Sequence, residues 1–261
     1  MDPSATGRPT TPERSTVDSE EVARFNALAE SWWDPEGKFR PLHKLNPTRL
    51  AYIRDQVAAH FGRDPVGPAP LSGLRVLDVG CGGGLLSEPL ARLGGDVVGI
   101  DAGEENVRIA QSHAEAGGLA IDYRHAPAED LAAAGESFDV VLAMEVVEHV
   151  ADLDAFLDAA CALVRPGGAL VIATLNRTLK AFAMAIVGAE YVLHWLPRGT
   201  HHWNKFARPS ELARRLRRNG LDVAEIIGVT YQPLSDSWRL SGDLGVNYMV
   251  FATHPGPRDR R

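Results

Sequence analysis

The sequence predicts an α/β protein wound around a mostly parallel sheet. Three observations carry that prediction. Between residues 75 and 175, short apolar runs of strand length alternate with amphipathic stretches of helix length. The stretch VLDVGCGGGLLS (76–87) places a cluster of glycines directly behind the first of those runs. An acidic residue, Asp101, closes the next run.

The chain has 261 residues and is 45% hydrophobic, enough for one substantial core. We read one domain over 18–254, between a disordered tail at 1–17 and a short tail at 255–261. The first residues, MDPSATGRPTTPERST, hold no apolar stretch of the kind a secretory signal needs, and are not the amphipathic, acid-poor stretch of a transit peptide. No run approaches the roughly 20 apolar residues of a membrane span. A formal net charge of -7 means that the surface as a whole is not built to attract nucleic acid or anionic lipid, which leaves only local basic patches for either. Cys81 and Cys161 are too few and too far apart for a disulfide framework or a zinc cluster, so a reducing, cytoplasmic setting is expected.

The elements follow in order. Residues 18–61 read as an N-terminal helical extension. Its first helix covers 18–33, with Asp18 as cap, Glu21 placed to reach back as in a capping box, and Val22, Phe25, Leu28 and Trp32 at helical spacing. A second helix starts at Asn46-Pro47 and carries Leu50, Ile53, Val57 and Phe61. GRDPVGPAPLSG (62–73) is a linker.

The core spans 74–175. Strands are expected at 75–80, 96–101, 121–125, 138–144 and 169–175, and helices at 84–93, 103–116 and 152–164. A helix over 208–219 presents Arg214, Arg215, Arg217 and Arg218 to water. Strands near 222–229 and at 247–253 have no helix between them and so form a terminal antiparallel pair, making a seven-stranded sheet.

A strand, a glycine turn and a helix start bring backbone N–H groups to the carboxyl edge of a parallel sheet, where open α/β sheets bind ligands. Gly80 and Gly82 match the first two positions of a dinucleotide fingerprint, but Leu85 stands at the third. No Gly-Lys-Ser/Thr follows, so the loop is not a P-loop. It admits a close backbone approach without specifying phosphate. A carboxylate at Asp101 suits the two hydroxyls of an adenosine ribose. Gly80 and Asp101 alone leave nicotinamide cofactors open, and a turn that merely joins strand to helix is the plainer alternative.

Further stretches narrow the choice. APAEDL (126–131) follows the third strand and AMEVVEHV (143–150) the fourth. With LDVGCGGG, Asp101 and LVRPGGALVIAT, they resemble the class I S-adenosylmethionine-dependent methyltransferases across 74–175. The resemblance implies a Rossmann-like sheet and S-adenosyl-L-methionine as methyl donor. It implies that Gly80 and Gly82 approach the methionine part, that Asp101 binds the ribose, and that Ala128 and Glu129 meet the adenine. Met144 would pack beside the adenosine, or simply fill the core at a strand end. Asp78 would support the glycine loop.

The Pro-Pro-Tyr/Phe stretch that goes with methylation of nucleobase amino groups is absent after the fourth strand, and neither cysteine has the context of a pyrimidine-methylating nucleophile. The flanks ARFNALAESWWDPEGKFRPLHKLNPTRLAYI (23–53), LNRTLKAFAMAIVGAEYVLHWLPRGTHHWNKFARPSEL (175–212) and VNYMVF (246–251) are similar to the 3-demethylubiquinol 3-O-methyltransferases of ubiquinone biosynthesis. That resemblance implies methylation of the phenolic hydroxyls of 2-polyprenyl-6-hydroxyphenol and 3-demethylubiquinol. It also implies that Arg49, in NPTRL, contacts the cofactor's carboxylate; read alone, Arg49 is a solvated cation in a first helical turn.

A phenol titrates near about 10, so a base helps. His149 and Glu148 lie at the carboxyl edge of the fourth strand, and His149 is preferred as base; capping the next helix or orienting the cofactor is the alternative role for both. His201 and His202 are a second choice. A divalent metal stays open, although no ligand spacing stands out. Residues 176–208 hold Arg177, Lys180, Arg198, Lys205 and Arg208 against one acid, Glu190. They either cover the site or dock on anionic membrane at the inner face of a bacterial cell and admit a polyprenyl tail. Three rivals remain. One is an O- or N-methyltransferase of a soluble small molecule. Another is an enzyme acting on tRNA or protein through Arg214–Arg218. The third is a cofactor-binding regulatory module, against which the aromatic flanks Trp32, Trp33, Tyr191, Trp195 and Trp203 argue.

Overall fold

The computed structural model describes residues 16–183 and 203–256. Its centre is one eight-stranded sheet in the order β3-β2-β1-β4-β5-β8-β6-β7. The strands are β1 (Arg75–Val79), β2 (Asp96–Asp101), β3 (Asp122–His125), β4 (Phe138–Met144), β5 (Val164–Leu175), β6 (Asp222–Gln232), β7 (Ser237–Ser241) and β8 (Asn247–Thr253). β1 to β5 run parallel, and β8 enters antiparallel between β5 and β6. The mostly parallel sheet with an antiparallel end is therefore as the sequence predicts.

The helices are α1 (Ser19–Asn26), α2 (Arg40–His60), α3 (Ser87–Arg92), α4 (Glu104–Ala116), α5 (Ala128–Ala133), α6 (Leu153–Ala162), the single turn α7 (Leu179–Ala181) and α8 (Pro209–Arg218). They cover both faces. On one face Leu77, Val141, Leu170 and Ile172 of the sheet pack with Phe156 and Leu157 of α6 and Leu212 and Leu216 of α8. On the other, Val76, Val140, Leu142 and Val171 pack with Tyr52, Ile53 and Val57 of α2 and Leu90 of α3. Central strands buried on both faces read as continuous apolar runs, which is why β1, β4 and β5 are plain in the sequence.

Three expectations are corrected. The sheet has eight strands rather than seven. The added edge strand β7 (SWRLS) pairs with β6 through Tyr231↔Trp238 and Thr230↔Arg239 and buries none of its residues, so it lacks the apolar pattern of a strand. The second helix starts at Arg40, not at Asn46-Pro47, and runs through Pro47. A proline in a helix interior costs about 3 kcal/mol. Here the continuing helix keeps Leu45 and Arg49 one turn apart on the same buried side. Asn46, expected as a cap, instead donates to the Leu85 carbonyl. Finally, the first helix ends at Asn26, and a separate 3-10 turn follows at Ala29–Ser31.

Candidate active site

The glycine loop is held by its neighbours. Gly80 and Cys81 both donate backbone N–H groups to the Ile100 carbonyl, at 2.8 and 3.0 Å, which draws the loop against the end of β2. Gly80, Gly82 and Gly84 have φ of +68, +54 and +87°, the left-handed region in which side chains are strained. A Cβ on Gly82 or Gly83 would enter the Trp32 indole, and one on Gly84 would overlap the Tyr123 hydroxyl. Asp78 lies buried beneath the loop and accepts a 2.6 Å hydrogen bond from the Ser87 hydroxyl at the start of α3. Burial pushes its carboxyl up to about 6 against the opposing pull of Ser87 and of the Arg49 charge.

Asp101 ends β2, and both oxygens of its carboxylate accept hydrogen bonds. One oxygen accepts from Gly82 N at 2.9 Å, and the other from Gly103 N at 2.7 Å and Asn106 Nδ2 at 3.1 Å. Burial raises its carboxyl above the ordinary value despite these donors. Asn106 accepts in turn from the Trp32 indole N–H at 2.9 Å. Trp32 stacks on Phe39 with centroids 3.7 Å apart, and Trp33 stacks on His113 while donating to the Gly83 carbonyl. The N-terminal extension thus roofs the glycine loop.

Beneath that roof lies a cavity of about 390 Å³ at the carboxyl edge of β1, β2 and β4. This size falls in the range of small-molecule sites. Of the residues proposed from the sequence, Gly80, Gly82, Asp101, Ala128, Met144, Glu148 and His149 line it. Arg49 and Glu129 do not. Arg49 is buried just behind the wall, where its guanidinium donates to Glu145 at 2.7 Å and to Asn46 Oδ1 at 2.9 Å. Its Nε is buried with no hydrogen-bond partner among the described residues. Glu145 does line the cavity, with a φ of +56°, a conformation that costs free energy in a residue with a side chain. Glu129 is occupied by Thr16, which donates its backbone N–H at 3.0 Å and its hydroxyl at 2.8 Å. Thr16 also accepts from Ala151 N. Thr16 and Val17, placed in the tail from composition, therefore lie against the cavity.

The two proposed chemical groups are held differently. Glu148 is buried and accepts from the Thr174 hydroxyl at 2.9 Å. His149 places Nδ1 3.0 Å from a carboxylate oxygen of Glu21 and meets Phe25 edge to face. Glu21 does not close the capping box expected for α1. Asp18 caps the helix alone, through Glu20 N and Glu21 N. Burial pushes the Glu21 carboxyl up, but the hydrogen bond and charge of His149, reinforced by Arg24, hold it below its ordinary value.

Val22, Phe25, Leu42, Leu45, Val229 and Trp238 add apolar surface to the lining. Sequence reasoning missed Glu21, Asn106, Tyr231 and Trp238 as members of the site. Only the capping pattern at Asp18 singled out Glu21, and for another role. Among the described residues no group of three or more His, Cys, Asp or Glu is disposed to hold a metal ion. His201, His202, Tyr191 and Trp195 lie outside the described residues.

A family model described as a methyltransferase domain matches residues 46–226. The chain is 61% identical over 241 residues to the ubiquinone biosynthesis O-methyltransferase of Mesorhizobium japonicum, over 92% of this chain and 97% of that protein. It is 58% identical over 242 residues to the protein of the same name from Brucella anthropi, over 93% of this chain and 98% of that one. Among solved structures, magnesium protoporphyrin IX methyltransferase from Synechocystis PCC 6803 with bound SAH aligns at a TM-score of 0.59 and 21% identity, covering 90% of this chain and 99% of that one. That likeness bears on the fold alone.

Proposed function

Because the chain belongs to the ubiquinone biosynthesis O-methyltransferases, we propose that its acceptors are the phenolic hydroxyls of a 2-polyprenyl-6-hydroxyphenol and of 3-demethylubiquinol, and that His149 takes the phenolic proton. The protein is an S-adenosylmethionine-dependent O-methyltransferase. The residues present suit that cofactor. Gly80 and Gly82 bring backbone to the cavity, Asp101 offers a carboxylate at the ribose position of such sheets, and Ala128 and Met144 supply apolar walls. Arg49, through its buried guanidinium beside Glu145, is the cation for the cofactor's carboxylate, and Glu129 marks the adenine side. When bound, the cofactor supplies an electrophilic sulfonium methyl group.

The observation that carries the reading is the place of His149. It lines the same cavity as Asp101 and Gly80, and its Nδ1 is committed to a carboxylate. The chain's own task is to align the phenol and hold the base. Alignment of two reactants is the larger effect, and general base assistance contributes about 10²- to 10⁴-fold. Glu148, bonded to Thr174, orients the segment that carries His149. The test is transfer of labelled methyl to a short-tailed 2-polyprenyl-6-hydroxyphenol analogue, with and without chelator. Turnover that survives chelation and is lost in His149→Gln supports the reading. Cofactor binding without turnover would point to a soluble small-molecule acceptor instead, and loss of turnover to the chelator alone would move deprotonation from His149 to a metal.

We propose further that the segment 176–208, of which residues 184–202 lie outside the described residues, meets anionic membrane at the inner surface of the cell, so that a lipid-dissolved acceptor reaches the cavity. Supporting this, Leu179 and Phe182 at the start of that segment are 80% and 43% exposed, and Lys180 between them lines the cavity. No helix among the described residues is long and apolar enough to cross a membrane. Flotation with phosphatidylglycerol liposomes at low salt should retain the protein; absence from the floated fraction would remove the proposal.

A further inference from the structure

We infer that the acceptor is held by the C-terminal half of the sheet. There Trp238 packs on its ring, the Asn247 amide bonds one of its ring oxygens, and the two residues set acceptor specificity. The inference rests on the cofactor placement and the phenolic acceptor proposed above, and not on which group takes the proton.

The cavity extends along the sheet edge past the residues assigned to the cofactor. Gly80, Gly82, Asp101 and Met144 come from the ends of β1, β2 and β4 or the turn behind them. Leu175 of β5, Val229 of β6, Trp238 of β7 and Asn247 of β8 line the cavity too. In the order β3-β2-β1-β4-β5-β8-β6-β7, β8 lies three strand positions from β1, roughly 14 Å at about 4.8 Å per strand. One ligand on the glycine loop and Asp101 therefore leaves the β5-β8-β6 stretch for a second molecule. Methyl transfer needs two reactants held side by side.

Two features fit that stretch to a substituted phenol. The first is a preorganised aromatic wall. β8 begins at Asn247, in register with Leu175 and Val229. Beyond Val229, β6 pairs only with β7, so the β6–β7 hairpin rises past the edge as a two-stranded wall. Tyr231 and Trp238 are directly opposed there and share one face, with ring centroids 5.3 Å apart. A lone two-stranded hairpin is marginal in water, but this one is tied to α2. The Thr48 hydroxyl donates to the Trp238 carbonyl at 3.0 Å, and Asp236 accepts from the Tyr231 hydroxyl and pairs with Lys44. The second feature is a polar group without a partner. Met249 and Phe251 pack on the α2 face with Val229, and by the two-residue repeat Asn247 shares that face. Its side-chain amide makes no hydrogen bond among the described residues. By contrast, Thr230 and Ser241 share a 2.6 Å hydrogen bond between their hydroxyls, and Lys180 is paired with Asp243. An amide both donates and accepts, so it serves a ring hydroxyl or a ring methoxy oxygen, the substituents that the two acceptors carry between them.

The experiment uses the full chain and the short-tailed 2-polyprenyl-6-hydroxyphenol analogue, under the conditions in which the wild-type chain turns it over. Acceptor kcat and KM at saturating cofactor are compared with S-adenosylhomocysteine affinity and Tm for Trp238→Ala, Trp238→Phe, Asn247→Leu and Arg239→Ala. Arg239, the next residue on β7, is exposed and does not line the cavity, so it controls for damage to the hairpin. We expect kcat/KM to fall about tenfold or more in Trp238→Ala, chiefly through KM, and to recover in large part in Trp238→Phe, which keeps an aromatic face. Asn247→Leu, of similar volume, should lower it about three- to tenfold, the loss of one hydrogen bond. Arg239→Ala should stay within about twofold, as should S-adenosylhomocysteine affinity in all four variants. Unchanged acceptor kinetics in Trp238→Ala and Asn247→Leu would overturn the inference, and unchanged kinetics in one alone would remove that residue from it. Losses in Trp238→Ala matched by Arg239→Ala, or by weaker S-adenosylhomocysteine binding, would mean that Trp238 only holds the hairpin, and would overturn its role. No turnover of this acceptor by the wild-type chain, with S-adenosylhomocysteine still bound, would remove the phenolic acceptor itself.

Discussion

Trp32 donates its indole N–H to Asn106 at 2.9 Å, and Asn106 donates to Asp101 at 3.1 Å. The first residue lies in the N-terminal extension, the second on α4, and the third at the end of β2. The carboxylate proposed for the ribose is therefore oriented from outside the glycine-loop unit, by a side chain whose ring also covers Gly82 and Gly83. The roof and the proposed cofactor site form one hydrogen-bonded unit.

Replacing Trp32 should therefore affect stability and binding together. Trp32→Ala removes the stack on Phe39 and leaves Asn106 Oδ1 without its donor. We expect a loss of about 3–5 kcal/mol, as for large-to-small changes at buried aromatics. Trp32→Phe keeps a ring but not the N–H, and should cost about 1–2 kcal/mol. Both should weaken S-adenosylhomocysteine binding, read by titration calorimetry. Unaltered binding in Trp32→Phe would show that Asp101 does not depend on this chain of hydrogen bonds.

Asp78 gives a pH dependence with a definite sign. Its folded carboxyl lies at about 6, above the ordinary value of 3.8. The folded state therefore holds the proton to higher pH than the unfolded chain. The stabilisation from this group is complete below about 4 and disappears as pH rises through about 6, a change of about 3 kcal/mol. Asp78→Asn should flatten that part of the stability profile in denaturant titrations between pH 4 and 7. A profile as steep as that of the wild type would assign the slope to other groups.

Arg49 has two interactions to lose. Arg49→Ala leaves Glu145, at φ +56°, without its cation in a largely buried place. We expect the cofactor dissociation constant to rise at least tenfold, since a charge-assisted contact contributes about 1.5–3 kcal/mol. Arg49→Lys should recover part of this, because an ammonium cannot serve two acceptors in the same fork. Unchanged affinity in Arg49→Ala would confine Arg49 to the support of Glu145.

Much of the fold is visible in local pattern. The parallel strands β1, β2, β4 and β5 are apolar runs because helices cover both faces of the sheet, and the glycine loop is conspicuous because its backbone angles exclude side chains. β7 is not legible: SWRLS is a half-polar edge strand that takes its conformation from pairing with β6. The start of α2 is misleading, because Asn46-Pro47 has the chemistry of a helix start while tertiary packing carries the helix through it.

The sheet class is written in local pattern, and so is the gathering of Gly80, Gly82, Asp101, Ala128, Met144, Glu148 and His149 into one region, because each lies within a few residues of a strand's carboxyl end. What those residues touch is set by packing between distant segments. Glu21 meets His149 rather than its own helix terminus, Thr16 takes Glu129, and Trp32 reaches Asp101 through Asn106. Periodicity and capping rules describe neighbours along the chain, whereas these contacts join segments 74 to 128 residues apart. Packing of the extension onto the sheet edge sets them, and no local signal encodes that.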